Sequence, residues 1–321
     1  MSEPKKHHYV PRAYLRFFAQ ENKPGIYQIA VFDKISGRSY ASNIDNVAEE
    51  KNYNRVEIDR FNMSVPNKDP LFYERLYPQI IEDKIPTIIQ RSISAFTLTN
   101  AGTPAIADNL KADLAKMLAI QTMRTPRNRT FFYDICRVPF YATKKRAIDY
   151  LATNPSNRDW HNEIEQLQEF DYTNEFAKSA ILSLTTQEDR IARFSDVLIS
   201  GYYWVVFSNR LLNSLPFFTS DEPVLFTDIY RRNVGLERNP LLWPNTIIHF
   251  ALNSQYMLVL YNKASPHSIE IANYADQCVN VDNAKCITLL NSLQLEQCTR
   301  QVFTNPRFLD LLHRFYAPNQ D

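Results

Sequence analysis

Residues 110–127, LKADLAKMLAIQTMRTPR, contain the pattern that decides how this chain is interpreted. The leucines recur every four residues, which places them on one face of a helix and predicts that this face is buried. Continuing the stripe in steps of three leads to Gln121 and then to Arg124, so the buried face ends in polar side chains. Burying an amide and a guanidinium is costly unless partners are supplied. We therefore expect either an internal carboxylate or an anionic ligand to meet them.

The segments on either side of this helix have different patterns. Residues 26–32 and 38–40 are rich in β-branched and aromatic side chains around a turn that contains Gly37, which predicts a hairpin. Residues 71–200 are predicted to be helical, with a helix opening at Thr103 and Pro104 and one acid-rich helix over about 159–178. Strands are predicted at 202–207, 217–218, 224–227, 246–252 and 256–261, followed by a final helix over about 282–303.

This order of elements predicts an α+β protein. We expect a mostly antiparallel sheet formed by the N- and C-terminal segments, with a helical middle region. The segments are 1–70 (helix, hairpin and loop), 71–200 (helices) and 201–321 (strands and a helix), and we expect them to form one compact domain.

Composition narrows the classes of function. The 36 basic and 35 acidic residues give a net charge of +1, which offers no general support for binding duplex DNA. Only 5 glycines occur and neither GxGxxG nor GxxxxGK[ST] is present, which argues against dinucleotide and P-loop sites. The 4 cysteines are widely spaced and predict free thiols. No secretory signal or long apolar run is seen, so we expect a cytoplasmic location and no membrane span.

Four short motifs occur in a characteristic order. They are HHYVP at 7–11, AEE at 48–50 followed by Tyr53, QTMRTPR at 121–127 and FTSDEPV at 218–224. Their order and spacing resemble the domain-of-unknown-function 4238 (DUF4238) family, found mostly in bacteria, over nearly the whole chain. That family commonly shows Asp-Asn-Pro where this chain has Asp221-Glu222-Pro223. The resemblance implies a fold and a set of residues, but no activity.

The motifs and the helix pattern together give a candidate catalytic set. Its members are His7, His8, Glu49, Glu50, Gln121, Arg124 and Asp221. A histidine titrates near neutrality, which suits acid–base work or metal ligation, but adjacent histidines point in different directions and one is expected to be structural. The HHxxP string is similar to the opening of an HNH nuclease motif, yet the remainder of that motif is absent. Asp221 lies two residues before Pro223. Its alternative role is therefore in a turn, where its side chain would bond to the nearby backbone.

A basic, aromatic segment follows the central helix. Residues 124–146 hold 7 basic side chains against Asp134 alone. Basic side chains between aromatic rings suit a phosphate backbone and its bases. The candidate substrate-binding residues are Arg12, Arg127, Arg129, Lys144 and Lys145. The alternative is that the acidic stretch 159–175 pairs with this segment across two helices.

Two hypotheses of function follow. The first is a phosphodiester hydrolase acting on nucleic acid or a nucleotide, such as a toxin or an antiphage effector. His8 would act as the acid or base, Arg124 as the phosphate clamp, and Glu50 with Asp221 would hold a divalent metal ion or orient the histidine. The second is a non-catalytic module that binds a small anionic ligand or a protein partner. A purely structural role for the polar cluster stays open, as does a homo-oligomer.

Overall fold

The computed structural model describes residues 6–56, 68–99, 104–153, 160–228 and 240–316, and their strands form three sheets. The strands are β1 (Lys6–His8), β2 (Gln20–Lys23), β3 (Ile26–Asp33), β4 (Arg38–Asn43), β5 (Glu49–Lys51), β6 (Tyr202–Asn209), β7 (Thr219–Ser220), β8 (Val224–Asp228), β9 (Thr246–Ala251), β10 (Tyr256–Asn262), β11 (Cys278–Val281) and β12 (Gln301–Thr304).

The helices occupy mainly the middle of the chain. They are α1 (Arg12–Leu15), α2 (Phe72–Ile80), α3 (Ile85–Leu98), α4 (Asp108–Arg124), α5 (Pro126–Thr153), α6 (His161–Glu169), α7 (Asn174–Thr186), α8 (Glu188–Gly201), α9 (Ser268–Ala272), α10 (Ala284–Gln297) and α11 (Leu309–Tyr316). Among the described residues, none of these helices combines the length and the apolar composition that crossing a membrane requires.

The first five-stranded sheet joins the two ends of the chain. Strands β3 and β4 form the predicted hairpin, in which the Asp33 carboxylate accepts the N–H groups of Ile35 and Ser36. Gly37 has a φ of +66°, a conformation that favours glycine. Strand β2 pairs with the start of β3, whereas β12 pairs antiparallel with its end and also with β7. The α+β prediction, with N- and C-terminal segments sharing a mostly antiparallel sheet, is confirmed.

The second five-stranded sheet is built from the C-terminal part of the chain alone, in the order β11-β6-β10-β9-β8. Neighbouring strands run antiparallel except for β11, which is parallel to β6. Tyr14 of α1 links the two larger sheets, since its hydroxyl lies 2.7 Å from Thr219 Oγ1 and donates over 2.7 Å to the Ala251 carbonyl. The third sheet is a two-stranded ribbon of β1 and β5, in which His7 lies opposite Glu50 and His8 opposite Glu49.

Helix α4 crosses the middle of the core. Leu110, Leu114 and Leu118 are buried as the stripe predicts, and the same face carries buried Gln121 and Arg124. The main hydrophobic cluster contains side chains from all three segments of the chain, from Tyr9 to Phe303. The polar end of α4 is therefore enclosed by elements that are distant in sequence.

Three boundaries differ from the sequence prediction. The prediction of one acid-rich helix over 159–178 is wrong, because α6 and α7 are separate helices. Between them, the Asp171 carboxylate accepts hydrogen bonds from the Tyr141 hydroxyl and from the N–H of Tyr172. The final helix ends at Gln297, because the following residues enter β12 and pair with β3. Helix α4 begins only at Asp108, and Thr103 lies outside the described residues.

Candidate functional site

The polar end of α4 binds backbone carbonyls of the N-terminal segment. The Gln121 side chain donates from Nε2 to the carbonyl of Tyr9 over 3.2 Å. Arg124 donates from Nη2 to the carbonyl of His8 over 2.6 Å. These two carbonyls are adjacent in the chain, so the end of α4 holds the segment that leaves β1.

The charge of Arg124 is matched by Glu82, which lies just before α3. Arg124 Nη1 donates to Glu82 Oε1 over 2.6 Å, and the guanidinium lies 4.3 Å from the centre of the Tyr77 ring. Burial alone would lower the pKa of Arg124, but Glu82 and Tyr77 outweigh it and the pKa is raised. We expected Arg124 to meet either an internal carboxylate or an anionic ligand, and the structure shows the internal carboxylate.

The two histidines occupy opposite faces of the ribbon. His7 is fully buried, and its Nδ1 accepts the N–H of Asn54 over 2.9 Å. An accepting Nδ1 carries no proton. Glu74 Oε2 lies 3.6 Å from that nitrogen and accepts the Asn54 side-chain amide over 2.7 Å, while burial raises the Glu74 pKa.

His8 lies on the other face, with Nε2 at 3.3 Å from the Ile44 carbonyl. Burial, together with the nearby positive charge of Arg12, lowers the pKa of His8 to about 4, so this imidazole is neutral at neutral pH. Glu49 lies opposite His8 in the ribbon and forms an ion pair with Lys6 over 3.1 Å.

Asp221 fastens the start of β12 and does not pair with Arg124. Its Oδ1 accepts the N–H of Thr299 over 3.0 Å, and its Oδ2 accepts those of Arg300 and Gln301 over 2.7 and 2.9 Å. Burial raises the pKa of this carboxyl to about 6, although the three backbone donors oppose the rise. These contacts reach a strand that is distant in sequence and are not the local turn that the Ser-Asp-Glu-Pro pattern left open. Within that turn it is Ser220 whose Oγ accepts a backbone N–H, that of Glu222, over 3.2 Å.

Glu222 is a buried carboxyl that sequence reasoning missed. Its Oε1 accepts the N–H of Arg127 over 2.9 Å, at the first turn of α5, and the hydroxyl of Thr299 over 3.0 Å. Burial and the neighbouring Asp221 raise the pKa of Glu222 to about 8. An acid placed four residues after the buried aromatic pair at 217–218 was the available signal, but such an acid is usually solvated.

A metal centre built from Glu50 and Asp221 is not formed by the described side chains. Within the described ranges, no group of three or more histidine, cysteine, aspartate or glutamate side chains is arranged to hold a metal ion. Glu50 is exposed on the ribbon, whereas both oxygens of Asp221 accept backbone N–H groups.

A cleft opens beside the buried network, between the ribbon and helices α5 and α7. Its volume is about 540 Å³, and we call it the Arg129 cleft. It is lined by Glu50, Lys51, Asn52, Tyr53, Pro126, Arg129, Thr130, Tyr133, Ala177, Lys178 and Ile181. The candidate residues that reach it are thus Glu50 and Arg129.

Arg129 is held in this cleft by neutral groups. It donates from Nη1 to the Tyr53 carbonyl over 2.6 Å and from Nη2 to Asn54 Oδ1 over 3.2 Å. Its guanidinium carbon lies 3.3 Å from the centre of the Tyr53 ring. Burial lowers the pKa of Arg129, and among the described residues it has no carboxylate in ion-pair contact. In this respect it differs from Arg124.

The other candidate substrate-binding residues lie elsewhere. Arg12 pairs with Asp45 over 2.7 Å, and Arg127 donates to Gln297 Oε1 over 3.3 Å. Lys144 donates to the carbonyls of Gln168 and Phe170 at the end of α6, which helps to attach α6 to α5. Lys145 is exposed on α5.

These features define an α+β protein with a buried polar network at the end of its central helix and a basic cleft beside it. The chain belongs to the DUF4238 family, described as a protein of unknown function, whose model matches residues 6–308. No curated protein and no solved structure matches this chain.

The buried Arg124–Glu82 ion pair can be compared with the exposed ion pair of Arg91 and Asp113. We expect Arg124→Ala to lower the free energy of unfolding by about 3 kcal/mol, because it leaves Glu82 and the His8 carbonyl without their donor. Arg91→Ala is the matched control: Arg91 pairs with Asp113 over 2.9 Å, but both side chains are 44% exposed, so the expected loss is below about 1 kcal/mol. Urea unfolding measures both, and equal losses would contradict the structural role of Arg124.

The buried carboxyl of Glu222 makes stability depend on pH. Its folded-state pKa of about 8 lies above the ordinary value of 4.5, so the folded state keeps a proton that the unfolded state releases. Stability therefore falls as the pH rises from about 4.5 to about 8, by at most about 1.4 kcal/mol per pH unit. Glu222→Gln keeps a neutral acceptor and should flatten this fall in urea titrations across that range. Parallel pH profiles for the two proteins would show that Glu222 is ionised in the folded state.

Proposed function

We propose that this protein binds an anionic, phosphate-bearing ligand in the Arg129 cleft. The observation that carries the proposal is the largely buried guanidinium of Arg129, whose hydrogen-bond and ring contacts among the described residues are all with neutral groups. A buried charge without a counter-charge is costly, and an anion entering from solvent would supply that counter-charge. Two N–H groups of Arg129 are already used, which leaves the remaining donors for the ligand.

Charge and shape support the same conclusion. Among the described residues of the lining, Lys51, Arg129 and Lys178 are positive and Glu50 is negative, which gives a net charge of +2 (three positive, one negative). The volume of about 540 Å³ suits a small molecule. Guanidinium groups bind phosphate through paired hydrogen bonds, and the half-buried Tyr133 ring of the lining offers a surface on which a base stacks. A nucleotide satisfies both features.

A phosphodiester hydrolase is the second candidate, and Glu50 is the observation that favours it. Its carboxylate lines the same cleft as Arg129, so a base and a phosphate clamp would face one substrate. His8 lies on the opposite face of the ribbon from Glu50, and we therefore assign the acid–base role to Glu50 in this version. The cytoplasmic location and the toxin or antiphage context stay predictions.

Binding at Arg129 is tested by thermal unfolding with inorganic phosphate, pyrophosphate and adenosine monophosphate. A ligand at about a hundred times its Kd should stabilise the folded protein by about 2.7 kcal/mol. Arg129→Gln should abolish this stabilisation, because it removes the unpaired charge. Arg12→Gln is the control, since Arg12 is exposed and already paired with Asp45. Stabilisation that survives in Arg129→Gln would place the anion elsewhere and end this proposal.

Measuring the cleavage of nucleic acid distinguishes the two candidate functions, ligand binding alone and phosphodiester hydrolysis. If Glu50 is a general base, single-stranded RNA or DNA is cleaved with and without added divalent ions, and Glu50→Gln reduces the rate at least about a hundredfold. Phosphate binding should survive this substitution, because Arg129 is unchanged. Glu49→Gln is the matched control, since Glu49 belongs to the same strand but pairs with Lys6. Cleavage that is equal in the wild type and Glu50→Gln would remove Glu50 from the reaction.

A further inference from the structure

A second cleft adjoins the Arg129 cleft. Its volume is about 450 Å³, and we call it the Arg193 cleft. Its lining includes Met123, Phe132, Ile181, Leu184, Arg190 and Arg193. Ile181 also lines the first cleft, so the two clefts are neighbours on either side of this side chain.

One face of α7 runs past both clefts. Ala177 and Lys178 line the first, Ile181 lines both, and Leu184 and Thr185 line the second. Positions three and four apart lie on the same helix face, so these side chains form one continuous wall. At a rise of 1.5 Å per residue, the wall from Lys178 to Thr185 extends over about 10 Å.

Each of the two clefts contains an arginine accompanied by aromatic rings. Tyr133 accompanies Arg129 in the first cleft, and Phe132 and Phe194 accompany Arg193 in the second. These three rings are half-buried. Arg193 is exposed and makes no ion pair among the described residues, whereas Arg190 donates from Nε to Gln187 Oε1 over 2.8 Å.

Charge is concentrated along the two linings. Among the described residues that line the two clefts, five are positive (Lys51, Arg129, Lys178, Arg190 and Arg193) and two are negative (Glu50 and Asp189), which gives a net charge of +3. The whole protein carries only +1. The positive charge is therefore local, which suits a short chain of phosphates better than a long duplex.

We propose that the two clefts form one groove for a short single-stranded oligonucleotide, an inference that rests on the proposed function. One phosphate binds Arg129, a later phosphate binds Arg193, and the intervening bases stack on the aromatic rings. At about 3.4 Å per stacked nucleotide, a wall of about 10 Å accommodates about three nucleotides. Cations beside aromatic faces bind single strands with little dependence on sequence.

The test is a length series of fluorescently labelled oligothymidylates and oligouridylates, from one to six nucleotides, followed by anisotropy at fixed ionic strength. For the wild type, affinity should rise about tenfold per added base up to about the third and then level off. Arg193→Gln should remove the gain from added nucleotides and leave mononucleotide affinity unchanged. Arg129→Gln should weaken binding at every length.

Arg307→Gln is the matched control, because Arg307 is an exposed arginine over an aromatic ring, Phe308, and lines neither cleft. Circular dichroism melts confirm that each variant is folded. Affinity that does not change with length would overturn the extended groove and leave phosphate binding at Arg129 intact. Equal losses in Arg193→Gln and Arg307→Gln would overturn it as well, because they would reveal general charge attraction. If neither oligonucleotides nor inorganic phosphate bind the wild type, both proposals are wrong.

Discussion

The adjacent backbone carbonyls of His8 and Tyr9 impose the constraint on which this region depends. The chain leaves the ribbon after His8. A buried carbonyl without a donor costs free energy comparable to a lost hydrogen bond. Helix α4 supplies the donors from Arg124 and Gln121, which explains why its apolar stripe ends in polar side chains. The guanidinium then requires a carboxylate, and Glu82 provides it.

The same network reaches the Arg129 cleft through Tyr53. The hydroxyl of Tyr53 donates to the backbone carbonyl of Arg124 over 3.0 Å, and the carbonyl of Tyr53 accepts from Arg129 over 2.6 Å. The position of Arg129 is thus tied to the buried end of α4. The two arginines nevertheless differ in kind, because Arg124 forms an ion pair with Glu82, whereas Arg129 is in ion-pair contact with no carboxylate among the described residues. A paired charge stabilises the fold, whereas an unpaired one is available to a ligand.

Local sequence patterns predicted much of this arrangement, but they could not predict which residues pair when the partners are far apart in the sequence. The β3–β4 hairpin and the buried polar end of α4 follow from residues close together in sequence. Glu82 could not be identified as the partner of Arg124, because an acid near a helix start is most often solvated and the pair is separated by 42 residues. The end of α10 was misplaced for a related reason. Its last predicted turn becomes β12 only because β3, at the other end of the chain, offers hydrogen bonds.

The neutral partners of Arg129 do not offset the full cost of desolvating its guanidinium. A desolvated guanidinium over an aromatic ring gains about 2 kcal/mol, and the two carbonyl oxygens add neutral hydrogen bonds, but the desolvation penalty of one ion is several kcal/mol. Glu50 lies in the same cleft, yet drawing it into an ion pair would immobilise an exposed, flexible side chain. A ligand phosphate meets donors that Tyr53 and Asn54 already hold in place, so less ordering is required of the protein. The fixed guanidinium, which is in ion-pair contact with no carboxylate among the described residues, therefore supports the proposed external anion over an ion pair with Glu50.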